Sequence, residues 1–309
     1  MRKAKKNEAD AVFAPALRQA RPAAKPAAPT ATAPPRGKVR AAHRGSASGR
    51  PATLRRAADP PRRAKAEALS AEALLERAMR AKTPRSRAIW AKRGLALKGP
   101  IDRTTQSMLL RQLYLTHFEG RRFTRAIEVA EQMIALAVLP DVAHQDMARA
   151  CHAAGDIDRA VGHLRLAARI GPPARKAFHW WTLGSVYFLA GRAPEAISAL
   201  TRAARWGTTD KPLYQGHLAV VRCAAGEKVP GLGALIDRLA EVPAGQGYGR
   251  FVLGHLAYHD HQAEAARRWL SAFVKRSTGG RLALSIALEG EVAMAKRTLA
   301  SLGAAPGEG

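Results

Sequence analysis

Apolar side chains recur at helical spacing from residue 67 to the end of the chain, and small residues interrupt them roughly every 15 positions. In three successive units an alanine follows the interruption, at Ala126, Ala160 and Ala196. These alanines are 34 and then 36 residues apart, the period of repeats that each contain one helix–turn–helix. Runs of β-branched residues, which favour strands, are scarce. The pattern predicts an all-α protein, an α-solenoid of about seven antiparallel helical hairpins over residues 67–305.

The clearest unit lies at residues 180–203, inside the most regular stretch, residues 107–276. Three large side chains fall on one face of its first helix, and two small residues let the second helix approach closely. This unit resembles the tetratricopeptide repeat family, with Leu200 where the family has phenylalanine. The resemblance implies hairpins stacked into a right-handed superhelix with a concave face. The repeat-core residues, including two alanines of the preceding units, are Trp180, Leu183, Gly184, Tyr187, Ala196, Ala160 and Ala126.

The same resemblance implies that the first helix of each hairpin lines a partner-binding groove. The residues expected there are aromatic or aliphatic with some basic side chains, which suits a peptide that has apolar anchors and acidic groups. The alternative is that they pack between neighbouring hairpins. Family members that grip a chaperone's C-terminal carboxylate need an asparagine where this chain has Leu115, so that partner is not expected. The groove residues are Arg111, Leu115, Phe118, Arg149, His152, Phe178, Trp181, Phe188, His217, Phe251, His255 and Tyr258.

Residues 1–66 differ in composition from the rest of the chain. They hold 9 of the 19 prolines and 17 of the 51 Lys and Arg residues, with only three acidic residues. Such a segment buries too little apolar surface to fold, so we expect a disordered basic arm. The remainder of the chain is almost as basic, since the formal net charge of the whole is +27. Basic clusters within residues 36–65 could attach to nucleic acid or another anionic surface.

No sequence motif for catalysis is present: a P-loop, a Rossmann glycine fingerprint and a Gly-x-Ser-x-Gly elbow are all missing. Cys151 and Cys223 are far apart and favour buried thiols in a reducing compartment. His255 and His259 lie one helical turn apart, but no further ligand supports a metal site. We therefore expect no enzyme activity, no metal and no cofactor.

The expected location is cytoplasmic, because no apolar run is long enough to span a membrane and no apolar signal segment follows the basic N-terminus. An organelle transit peptide in residues 1–66 is the alternative. The leading functional hypothesis is a protein-interaction scaffold that binds a protein or peptide in the groove, with the arm adding electrostatic attachment. The second hypothesis is a nucleic-acid-associated protein that contacts phosphates through the arm and the basic solenoid.

Overall fold

The computed structural model describes residues 69–303, so the expectations for residues 1–66 lie outside the described residues. Within the described range the chain is helical and contains no strand. The prediction of an all-α solenoid is confirmed, because successive helices pack against their neighbours along the chain. The helices are α1 Ala71–Arg80, α2 Pro84–Leu95, α3 Arg103–Glu119, α4 Phe123–Leu136, α5 Pro140–Ala153, α6 Ile157–Ile170, α7 Pro173–Leu189, α8 Ala193–Trp206, α9 Lys211–Ala224, α10 Leu232–Glu241, a 3₁₀ turn Pro243–Gly245, α11 Gly249–His259, α12 Ala263–Thr278, α13 Leu282–Ala287 and α14 Glu289–Gly303.

The turn between the two helices of a hairpin repeats every 34–36 residues. In five consecutive hairpins, from α3–α4 to α11–α12, the second residue after the end of the first helix adopts a left-handed backbone conformation. Glycine adopts this conformation without strain, and three of the five positions are glycines. The positions are Arg121, Gly155, Gly191, Gly226 and His261.

Small residues allow the two helices of a hairpin to pack closely. Ala126, Ala160 and Ala196 have no exposed surface. A β-carbon placed on Gly184 would lie 2.6 Å from Cγ of Leu200, closer than carbon atoms approach one another. The predicted close approach in this hairpin therefore depends on glycine at position 184.

Polar side chains link each hairpin to the next at about one repeat length. Arg111 donates to Asp146, 35 residues along the chain, with 2.7 Å between Nε and Oδ2. Trp181 Nε1 donates to Nδ1 of His217, 36 residues along, at 3.0 Å. Arg192 likewise donates to Asp158, 34 residues before it, at 2.8 Å. The stack is therefore held by directional bonds as well as by its apolar core.

The last unit follows a different course from the hairpins before it. The helix break in this unit lies at Leu288, and Gly290 is inside α14. The short helix α13 packs against α3 and α5, near the start of the repeats, whereas α14 packs against α12. Position 290 requires glycine, because a β-carbon there would lie 2.9 Å from a methyl group of Leu189.

Candidate functional site

The first helices of the hairpins lie side by side and form one continuous surface. Their side chains bond from α3 to α5, from α5 to α7 and from α7 to α9. Tyr248, just before α11, continues the series through ring contacts with Trp181 and His217. We call this surface, formed by α3, α5, α7, α9 and α11, the first-helix face. It is the face on which the sequence places the groove.

An aromatic cluster forms the centre of the first-helix face. The rings of Trp181 and Tyr248 meet edge to face with 4.7 Å between their centroids, and Phe251 lies 5.4 Å from Tyr248. Burial lowers the pKa of His217 to about 3 and that of His255 to about 3. Both histidines are therefore neutral at physiological pH and add no positive charge to this face.

Asp146 ties together the two arginines expected to serve the groove. Arg111 and Arg149 bond different oxygens of its carboxylate, at 2.7 and 2.8 Å. Burial raises the pKa of Asp146, but the charges and hydrogen bonds of the two arginines outweigh this effect and hold the pKa below its usual range. A carboxylate with almost no exposed surface thus neutralises part of the basic character that the sequence predicts here.

A second buried network joins α5 to α7. Arg175 makes a bidentate pair with Asp141 at 2.7 and 2.9 Å. His179 lies between Asp141 and Gln145, with each ring nitrogen 2.9 Å from a side-chain oxygen. Because every one of these groups bonds within the stack, the network's visible role is to fix the register of the two hairpins.

The C-terminal segment, residues 282–292, lies across the first-helix face. Its helix α13 packs on α3 and α5. Glu289 pairs with Arg121 in the turn after α3, across 168 residues of sequence. Ile286 and Leu288 are buried, while Glu289 is about half exposed. The chain therefore covers part of its own predicted groove.

A cavity of about 70 Å³ remains between the C-terminal segment and the first helices. That volume is several times what one water molecule requires. Most of its wall is apolar, and its few polar groups come from α5, α7, the residue before α11 and α14. Its lining includes Gln145, Ala148, Arg149, His152, Leu164, Phe178, Trp181, Thr182, Ser185, Val186, Leu189, Tyr248, Ala287, Leu288 and Glu291.

Glu291 is the most unusual group in the cavity wall. It is 5% exposed, and burial raises its pKa to about 7. Tyr248 donates to its Oε1 at 3.3 Å, and Ser185 lies 3.5 Å from the same tyrosine oxygen. Its other oxygen, Oε2, is buried and makes no hydrogen bond to the described residues. Burying a carboxylate with one unpaired oxygen is unfavourable, so the carboxyl group takes up a proton more readily than an ordinary glutamate.

The predicted groove residues fall into three groups by exposure. Phe118, Trp181, His217, Phe251 and His255 are buried. Tyr258 is exposed. The half-buried residues are Arg111, Leu115, Arg149, His152, Phe178 and Phe188.

Four of the predicted groove residues border the cavity, namely Arg149, His152, Phe178 and Trp181. Their role in partner binding stays a prediction. Glu291 and the C-terminal segment were not foreseen from the sequence. The available signal was the acidic pair Glu289 and Glu291 directly after an apolar run, in a chain where acidic residues are outnumbered two to one.

The predicted repeat-core residues and the isolated reactive side chains are also placed. Leu183 and Tyr187 are buried, while Trp180 is half-buried under Arg202, whose guanidinium lies 4.7 Å from the indole. His255 points into the aromatic cluster, 4.5 Å from Phe251. Over residues 69–303 no group of three or more potential metal ligands comes together. Both cysteines are free thiols, with Cys151 and Cys223 in separate hairpins.

A second depression lies on the opposite side of α7 from the cavity. We call it the arginine groove; it has a volume of about 490 Å³. Its aromatic walls each carry a stacked guanidinium, since Arg165 lies 5.8 Å from the Tyr187 ring and Arg202 covers Trp180. The residues around it are Arg165, Arg169, Trp180, Leu183, Tyr187, Glu195, Ser198, Ala199 and Arg202.

Among the described helices, none is long and apolar enough to cross a lipid bilayer.

Comparison with known proteins adds little to this geometry. No protein-family model matches the chain, and no curated protein matches it. One solved structure similar to this chain is the crystal structure of the P58(IPK) TPR domain, at 13% sequence identity over 75% of this chain and 74% of that chain. The TM-score is 0.27, so the two structures superpose poorly. The fold description above therefore stands on the helices and contacts of this chain.

Proposed function

We propose that the chain is a protein-interaction scaffold of the tetratricopeptide type that binds a peptide or protein segment on its first-helix face. The observation that supports this most is the apolar cavity beneath the C-terminal segment. Phe178, Trp181 and Leu189 border it from one side, and Leu288 borders it from the other. The surface thus already holds one short helix, α13, together with its flanking residues.

Binding rather than catalysis fits the buried charges of this face. Asp141 and Asp146 are each held by arginine side chains, and their bonds join one hairpin to the next. Arg121 is paired with Glu289, which is a more exposed contact. A partner's carboxylate would therefore meet Arg121 more readily than the buried arginine pair on Asp146.

Affinity capture with matched variants of α7 tests the proposal. Phe178 borders the cavity, whereas Trp180, two residues away, borders the arginine groove. Full-length Phe178→Ala should capture the partner at least about tenfold more weakly than the wild type, because anchor residues dominate such interfaces. Trp180→Ala is the control and should capture it normally. Equal capture by the two variants, with both folded by circular dichroism, would exclude the first-helix face as the binding surface.

The arginine groove supports a second candidate function, sequence-independent binding of nucleic acid. Three exposed arginines with adjacent aromatic rings provide phosphate contacts and stacking surfaces. Residues 36–65, which would add to this, lie outside the described residues. RNA and DNA binding should weaken steeply between about 50 and 200 mM salt. The double variant Arg169→Glu, Arg202→Glu should weaken this binding, and binding unaffected by the double substitution would rule out the arginine groove as the site.

A further inference from the structure

The C-terminal segment contacts the first-helix face in the way a bound peptide would. Its apolar side chains come first, with Ile286 and Leu288 buried. Its carboxylates follow, Glu289 on Arg121 and Glu291 on Tyr248. The anchored residues belong to one short helix, to the break after it and to the first turn of the next helix. The face therefore contacts apolar and acidic groups in a helical arrangement.

The fit of this segment is incomplete in two ways. A cavity of about 70 Å³ stays open beside Leu288. The Oε2 atom of Glu291 is buried without a hydrogen-bond partner among the described residues. Interfaces between permanent partners are usually packed to the density of a protein interior and leave few such groups unpaired. A ligand that fills the cavity and donates a hydrogen bond at this place would fit better than the segment does.

The local chain geometry allows the segment to separate from the rest of the solenoid. Gly279 and Gly280 precede α13, and the helix breaks again at Leu288 before α14 continues. The body of α14 packs on α12, so it can keep its place on the last hairpin. The contacts that would be lost are those of α13 and the first turn of α14.

We propose that the first-helix face recognises an amphipathic helix whose apolar residues are followed by carboxylates, and that residues 282–292 are a resident occupant that such a partner displaces. This rests on the proposed function and specifies its partner. The occupant is a helical protein segment, because the seated segment consists of the short helix α13 and the first turn of α14 and because Arg121 in the turn after α3 supplies the complementary charge. The same contacts would hold the partner, with Arg121 opposite one of its carboxylates.

A labelled peptide of residues 281–296 provides the probe, and fluorescence anisotropy with the full-length chain provides the measurement. Leu288→Asp places a charge in the apolar contact and should release the resident segment. The peptide should bind this variant at least about tenfold more tightly than the wild type, because the intramolecular competitor is gone. Glu289→Gln, at a half-exposed position, should give a smaller gain in the same direction.

Charge reversal provides the control for the docking site. In the Leu288→Asp background, Arg121→Glu should weaken the wild-type peptide at least about fivefold, and a peptide carrying Glu289→Arg should restore binding. A scrambled peptide should not bind. Equal binding to the wild type and both opened variants, no binding to any of them, or binding indifferent to the charge at position 121 would overturn the inference. If capture by the wild type still depends on Phe178 in that case, the proposed function stands and only the nature of the partner is wrong.

Discussion

Replacing Glu291 by glutamine should remove a pH dependence from the stability of the protein. Burial raises the pKa of this carboxyl group from an ordinary 4.5 to about 7. A group whose pKa is raised on folding favours the folded state most at low pH, and its contribution is lost as the pH rises from about 4.5 through about 7. A difference of this size in pKa corresponds to about 3 kcal/mol. Glutamine resembles the protonated acid, so the variant should be more stable than the wild type by up to that amount at pH 8.

The assay is thermal or urea unfolding of the full-length chain, followed by circular dichroism between pH 4.5 and 8. In a domain of this size about 3 kcal/mol corresponds to a change in Tm of roughly 6–12 °C. His217 and His255 act in the opposite sense, since their pKa values are lowered by burial to about 3 and they lose stability as the pH falls. Comparing the two proteins at each pH cancels that contribution. The difference should shrink towards zero at pH 4.5, and a difference that stays constant across the range would refute the reasoning.

Two further predictions concern the packing of the hairpins, measured by urea unfolding. Gly184→Ala should destabilise the fold by about 1–3 kcal/mol because the added carbon meets Leu200, whereas Gly162→Ala, which has open space around it, should be neutral or stabilising by up to about 1 kcal/mol; equal effects would contradict the packing argument. Asp146→Ala should cost about 3–5 kcal/mol because it leaves two largely buried arginines without their carboxylate, while Glu76→Ala in an exposed pair should cost less than about 1 kcal/mol. A loss at Asp146 no larger than at Glu76 would show that the buried network does not stabilise the stack.

The hairpin architecture could be predicted because it depends on the spacing of residues within one repeat. The buried alanines at 126, 160 and 196, and the glycine at 184 that makes room for Leu200, are signals within one repeat. A helix period of 3.6 and a repeat period near 34 are enough to predict a stack of helical hairpins. The last unit departs from the pattern, because its Gly290 packs against a leucine in a distant hairpin and does not form a turn.

The details of the site depend on contacts that spacing does not encode. Arg111 and Arg149 are basic residues at groove positions, and their spacing does not reveal that both pair with the one carboxylate of Asp146. Glu289 meets Arg121 across 168 residues, far beyond the range of any periodic pattern. Several of the predicted aromatic groove residues are buried, since a side chain such as Phe251 satisfies the groove register and the core equally well. Register shows which side of a helix a residue lies on, and only the packed neighbours show whether that side is open.

The return of α13 to α3 and α5 changes how the stack should unfold. In an open array each unit interacts only with its neighbours, so the ends fray first and unfolding can spread inward one unit at a time. Here the last unit also packs against early units, so the array is partly closed on itself. The hairpins that begin with α3 and α5 therefore cannot open without breaking a contact made by α13. Native-state hydrogen exchange should therefore show α3 and α13 exchanging with similar free energies of opening, and releasing α13 should turn one cooperative transition into a graded one.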